Sequence, residues 1–147
     1  MKILLATDGT RHSEAAVEII KKFRLPPDCE IKIVSVVDMA VPLAIDVYAG
    51  YLSSTAEIEA AAREYAAKIL EETKSKLTEC NITTTTEILF GSPESRIVET
   101  AEEMRADLVV VGSHGYNRWE RLLLGSVSDS VVHHAPCSVL VVRAPNE

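Results

Sequence analysis

The chain has 147 residues, 47% of them hydrophobic and 25% charged, which places it among ordinary folded globular domains and excludes a disordered or fibrous chain. With 15 lysines and arginines against 22 aspartates and glutamates, its formal charge is −7, which argues against general nucleic-acid or membrane-surface binding because duplex phosphate and anionic lipid are repelled. Cys29, Cys80 and Cys137 are odd in number and lack C-x-x-C spacing, so neither a disulfide framework nor a zinc site follows from them.

The opening run Lys2–Thr7 (KILLAT), closed by Asp8-Gly9, is predicted to be a strand buried on both faces, since parallel strands covered by helices lose polar alternation. It is too short for a signal-peptide core or a membrane span, so the cytoplasm is the expected compartment. A helix is expected from about Ser13 to Phe23, with Ser13 as N-cap, Ala16, Ile20 and Phe23 on its buried side, and Pro26-Pro27 preventing continuation. Glu30–Val37 (EIKIVSVV) supplies the second strand. Met39–Leu52 is apolar yet interrupted by Pro42, Asp46 and Gly50. It fits no regular element and is read as a lid or packing segment, with an apolar partner surface as the alternative.

A long helix is expected over about Thr55 to Thr78, its stripe formed by Ile58, Ala62, Tyr65, Ile69, Thr73 and Leu77. Thr83–Phe90 (TTTTEILF) is β-branched but polar, which suits an edge strand. Ser92 as N-cap, Pro93 at the first helical position and Glu94 at the positive dipole end start the next helix, which buries Ile97, Val98, Ala101 and Met104. Asp107–Val111 (DLVVV) is a second fully apolar strand, ending at Gly112. A short helix from about Ser126 to His134 stops before Pro136, and Ser138–Val142 (SVLVV) is the last strand. His133, His134 and Cys137 are read as a helix C-terminus and a small buried thiol rather than as a metal cluster.

Strict alternation of strand and helix implies a parallel sheet with helices on both faces. The two most apolar runs, 2–7 and 107–111, should be central neighbours, and the polar run 83–90 an edge. The expected fold is one doubly wound α/β domain over residues 1–147, a five-stranded parallel sheet with the order 3-2-1-4-5 as the expected arrangement. In such a sheet ligands bind beyond the carboxyl ends of strands where the order reverses, here at Thr7-Asp8-Gly9 and Gly112-Ser113-His114-Gly115. Gly112 and Gly115 are expected to bend the backbone through positive φ and to admit a ligand closely. After nine more residues, Gly125-Ser126-Val127-Ser128 opens a helix whose free N–H groups favour an anion. Ser126 and Ser128 are expected to add hydroxyl donors. Lysine is absent after position 76, so this cradle must work without it. Arg118 and Arg121 lie in the nine-residue insert as lid or surface charges, and Tyr116 and Trp119 as packing or lid residues.

G-x-x-G, nine residues, then G-S resembles the nucleotide-binding motif of the universal stress protein family in its ATP-binding branch. ILLATDG at the start, SVVD closing the second strand and APCSVLVVR at the end extend the resemblance over essentially the whole chain. The resemblance implies an adenine-nucleotide site. Asp8 would contact the ribose and adenine end, lined by Ala6 and Thr7, and the backbone of Val36 would pair with the adenine edge. Val111, Gly112, His114 and Gly115 would turn around ribose and phosphate, and Gly125, Ser126, Val127 and Ser128 would take the phosphates. It implies ATP, or ADP or AMP, with Mg2+ or Mn2+ held through the phosphates and no marked protein ligand for the metal.

No lysine follows Gly125 as in a Walker loop, and neither a Ser-His-Asp order nor paired carboxylates stand out. The expected function is thus a nucleotide-binding stress-response or regulatory protein with at most slow ATP hydrolysis. The alternatives are a flavodoxin-like FMN carrier, using the hydroxyl-rich loop T-D-G-T-R-H-S, and a ligand-free dimeric scaffold. A phosphoacceptor receiver is rejected because Asp8 stands alone and no lysine lies near the last strand. The apolar edge SVLVV (138–142) is expected to pair with a second copy in a symmetric homodimer, as the family resemblance also implies.

Overall fold

The computed structural model describes residues 1–38, 55–115 and 124–145. In chain order they form β1 (Lys2–Ala6), α1 (Arg11–Lys21), β2 (Glu30–Val37), α2 (Thr55–Thr78), β3 (Thr84–Phe90), α3 (Pro93–Met104), β4 (Leu108–Gly112), α4 (Ser126–His134) and β5 (Ser138–Val142). The five strands make one sheet ordered β3-β2-β1-β4-β5, and every pairing is parallel. This is the expected doubly wound order.

The apolar runs make the central strands because both of their faces are covered. Ile3 and Leu5 of β1 pack with Val17 and Ile20 of α1 and with Leu70 and Leu77 of α2. Leu4, pointing the other way as strand geometry requires, joins Ile97 and Ala101 of α3 and Val131 of α4. Polar β3 is an edge. At the opposite edge, Val139, Leu140 and Val141 of β5 are only half-buried.

Three local expectations are corrected. Thr10, not Ser13, is the N-cap of α1: Thr10 is extended at φ −75 and ψ 160, and its side chain accepts from the Ser13 N–H. The reason lies upstream. One Asp8 carboxylate oxygen takes both the N–H and the hydroxyl of Thr10, at 3.0 and 2.7 Å, and so turns the chain before Ser13 is reached. Phe23 is 40% exposed rather than buried, because α1 is capped at Lys22 and Phe23 leaves the helical register. Tyr65 is 51% exposed. At 100° per residue it falls on the flank of the arc that Ala66, Leu70, Thr73 and Leu77 bury. In α3, Ser92 does occupy the N-cap before Pro93, but its hydroxyl makes no capping bond. The segment 39–52, expected as a lid or packing element, lies outside the described residues.

Ile20→Ala is expected to cost about 2–5 kcal/mol of unfolding free energy, the range for a buried aliphatic truncation. Phe23→Ala should cost under about 1 kcal/mol, as surface substitutions do. Denaturant titration of the two variants checks the corrected face of α1.

Candidate functional site at the carboxyl ends of β1 and β4

The parallel register brings the ends of β1 and β4 together. Leu5 pairs with Val110 and Leu4 with Val109, so the chain emerging at Thr7-Asp8 stands beside the chain emerging at Gly112–Gly115. On the other flank Ala6 pairs with Val34. The next two positions of each strand carry Asp8 and half-buried Val36 to the same end of the sheet. Ala6, Val36 and Val127 rest against the core on the α3–α4 side. Thr7 turns to α1, where its hydroxyl donates to Ser13 Oγ at 3.3 Å.

Polar contacts lock these segments to one another. The Thr10 hydroxyl lies 3.5 Å from the His114 carbonyl, joining the β1–α1 loop to the turn after β4. Ser113 is fully buried. Its carbonyl accepts from the Gly125 N–H at 2.7 Å and from the Ser128 hydroxyl at 2.8 Å. Its own N–H donates to the Val142 carbonyl at 2.8 Å. The start of α4 is thereby held against the turn although residues 116–123 separate them in sequence. Gly125 is the N-cap and no side chain caps this helix, so its first N–H groups, which have no intrahelical acceptor, mark an electropositive end.

The expected roles of two residue types are corrected by these contacts. Gly112 and Gly115 do not reach positive φ, which among the described glycines is found at Gly9 and Gly91. Close approach is what requires glycine here. A Cβ on Gly112 would come within 2.8 Å of the α1 backbone at His12 and Ser13, and one on Gly115 within 3.0 Å of Asp8 Oδ2. At Gly125 it would meet the Ser113 carbonyl oxygen at 3.2 Å. Ser128, expected to offer a hydroxyl to phosphate, is buried and turns its hydroxyl inward to the carbonyls of Ser113 and Gly125, at 2.8 and 2.9 Å. Ser126 is exposed. Among the described residues of α4, the groups at its start that can meet an anion are therefore backbone N–H groups and the Ser126 hydroxyl.

The predicted residues Ala6, Thr7, Asp8, Val36, Val111, Gly112, His114, Gly115 and Gly125 to Ser128 thus converge on one end of the sheet. Thr10, His12, Ser13 and Ser113 organise that end without having been legible as site residues. The Asp8-x-Thr10 spacing of an Asx turn was the one available signal. Tyr116, Arg118, Trp119 and Arg121 lie outside the described residues. His133 and His134 are exposed, each with Nδ1 2.8 Å from the carbonyl four residues earlier, and burial pushes the Cys137 thiol up. Among the described residues, no three metal-ligating side chains lie together, and no helix is long and apolar enough to cross a membrane. A crevice of about 180 Å3 between α1 and α2 touches this end of the sheet only at Thr7 and Gly9.

Compared with known proteins, the family model described as "Universal stress protein family" matches residues 1–143. A Staphylococcus aureus (strain USA300) protein named as a universal stress protein is 36% identical over 143 residues, covering 96% of this chain and 82% of the relative. Among solved structures, hypothetical protein MJ0577, the subject of a structure-based assignment of biochemical function, superposes with a TM-score of 0.86 at 28% identity, covering 99% of this chain and 97% of that one. A universal stress protein family protein from Arabidopsis thaliana with AMP bound superposes with a TM-score of 0.71 at 19% identity, covering 99% and 92%.

Gly112→Ala is expected to lower stability by about 1–3 kcal/mol, as overpacking does, because the methyl group meets backbone rather than a movable side chain. Thr10→Val, which removes the cap, should cost about 1 kcal/mol. Thermal or denaturant unfolding measures both.

Proposed function

The chain belongs to the universal stress protein family, and from that membership and the geometry above we propose that it binds an adenine nucleotide at the carboxyl ends of β1 and β4. The observation that carries this reading is the convergence of a carboxylate, a glycine turn and an uncapped helix start. Asp8 Oδ1 is engaged by Thr10, while Oδ2 faces Gly115. That oxygen is suited to accept hydrogen bonds from ribose hydroxyls. The first N–H groups of α4 suit the phosphates, and Ala6 and Val36 offer apolar or backbone contact to the base. An AMP complex in the Arabidopsis thaliana neighbour supports the same ligand class.

ATP, ADP or AMP is the proposed ligand. Mg2+ or Mn2+ would be carried on the phosphates, which fits a cradle of backbone donors better than it fits a protein-liganded metal. The metal would supply charge neutralisation of the phosphates. This chain's residues orient the nucleotide, and any hydrolysis would be slow because no Walker-type lysine follows Gly125. The role is a regulatory or stress-response one in the cytoplasm. We further propose a homodimer paired through the half-buried edge β5, since an exposed apolar edge strand invites pairing.

The flavodoxin-like alternative is not favoured. The hydroxyls it needs are engaged within the loop, Thr7 with Ser13, Thr10 with Asp8, and Ser13 with the Thr10 carbonyl. A ligand-free scaffold would leave the uncapped start of α4 without a purpose.

Calorimetric titration of nucleotide-stripped protein with ATP and magnesium should give saturable binding near one nucleotide per chain, and absence of binding refutes the reading. Gly125→Val should abolish binding with circular dichroism retained. Asp8→Ala should weaken ATP more than inorganic tripolyphosphate, and equal losses would contradict its ribose role. Sedimentation at micromolar concentration should give a dimer; a monomer rejects the β5 pairing.

A further inference from the structure

The crevice of about 180 Å3 between α1 and α2 is not used by the nucleotide reading. Ala6 packs toward α3 and α4, whereas this crevice lies on the α1–α2 side of β1. Its floor is apolar, with Val17 1% exposed and Ile69 7%. An apolar cavity of roughly 150 Å3 holds one benzene, and sites for drug-sized ligands take roughly 300–1,000 Å3. The occupant that fits is therefore much smaller than a nucleotide.

One hydroxyl in this floor is left over. Thr73 lines the crevice and is 6% exposed. A threonine inside a helix can donate to the carbonyl four residues earlier. Thr78 does so to Lys74 at 2.9 Å, and Thr100 to Arg96 at 2.7 Å. Thr73 makes no such bond to Ile69, nor any other side-chain hydrogen bond among the described residues. Buried polar groups are normally hydrogen-bonded, so this hydroxyl calls for a partner inside the crevice.

The rim holds charge that is also left over. Lys76 Nζ lies 3.5 Å from Glu14 Oε1 and closes one end as an ion pair. Lys68 and Glu72 are exposed on the same face of α2, one turn apart, where opposite charges commonly pair. Among the described residues, neither pairs with the other or with a third group. A cation and an anion thus stand separately above an apolar floor.

We propose that this crevice is a binding site for a free α-amino acid with a small aliphatic side chain. The carboxylate meets the Lys68 ammonium and the amino group meets Glu72. Thr73, whose hydroxyl both donates and accepts, bonds the same head group, and the side chain rests on Val17 and Ile69. An α-amino acid carries both charges on one carbon and so matches both rim residues. A simple carboxylate would leave Glu72 unmatched, and a simple amine would leave Lys68 unmatched. The site does not depend on the nucleotide reading.

Calorimetric titration of the whole chain without nucleotide tests it, with L-leucine as the probe. Isocaproate, which lacks the amino group, and isoamylamine, which lacks the carboxylate, are the comparison ligands. Leucine should bind saturably and about tenfold or more tighter than either, the scale of one lost charge-assisted hydrogen bond. Amide shifts on saturation should centre on Gly9, Val17, Ile69 and Thr73. Thr73→Val, Lys68→Met and Glu72→Gln should each weaken leucine about tenfold. The two rim positions are exposed, so their variants decide the matter even where Thr73→Val does not fold. No saturation by about 10 mM, beyond the millimolar range of weak complexes, overturns the site, as do shifts centred elsewhere. Equal binding of isocaproate or isoamylamine overturns the amino-acid class, and full affinity in both rim variants overturns the assigned contacts.

Discussion

At Ser113 an N–H, a carbonyl and a hydroxyl are all removed from water, and each has to find its partner inside the fold. A buried polar group left unpaired costs about 1–3 kcal/mol, so this position admits few arrangements. The N–H takes the carbonyl of Val142, and the carbonyl takes Gly125 and Ser128. The hydroxyl lies between His12 and His114. The end of β5, the start of α4 and the start of α1 are thereby referred to a single residue at the end of β4. Gly112 beside it permits the approach, since the space a Cβ would fill is already occupied by the backbone of α1.

The site proposed on that anchor would hold an anion with the backbone dipoles at the start of α4. The chain is net acidic, and its ion pairs among the described residues, such as Lys21–Glu18 and Lys32–Glu87, join partly exposed side chains. Pairs of that kind contribute little to stability. Backbone N–H groups at the mouth of α4 are held in fixed directions by the helix, so an anion placed there needs no reorganisation of long side chains. Asp8 is constrained in the same way. With Oδ1 engaged by Thr10, the carboxylate is held in one orientation, and its second oxygen is turned to Gly115.

The elements were legible in the residues to a degree that the site was not. Glu30–Val37, Thr55–Thr78, Ser126–His134 and Ser138–Val142 end where proline, glycine and the change from period two to period 3.6 say they should. The N-cap of α1 was misread, because Ser13 has the right chemistry for a cap and only the side chain of Asp8 decides that Thr10 takes the position first. Tyr65 was misread because a stripe drawn on a long helix does not reveal which arc meets the sheet. Ser128 was misread because its hydroxyl is an equally good donor to a phosphate or to a carbonyl, and the carbonyl of Ser113 belongs to a segment fifteen residues earlier.

By itself the sequence determined the alternation of strands and helices, the identity of the two central strands, the edge character of β3 and the glycine-rich turn opposite a helix start. These follow from local rules of propensity, periodicity and burial that act within one element. Tertiary structure alone decided why Gly112 and Gly115 must be glycine, which hydroxyls face inward, and how His12, Ser113, His114 and Ala144 meet. Those contacts join residues up to 132 positions apart. Their geometry is set by the strand order and the close packing of α1 on β4, which no local pattern records.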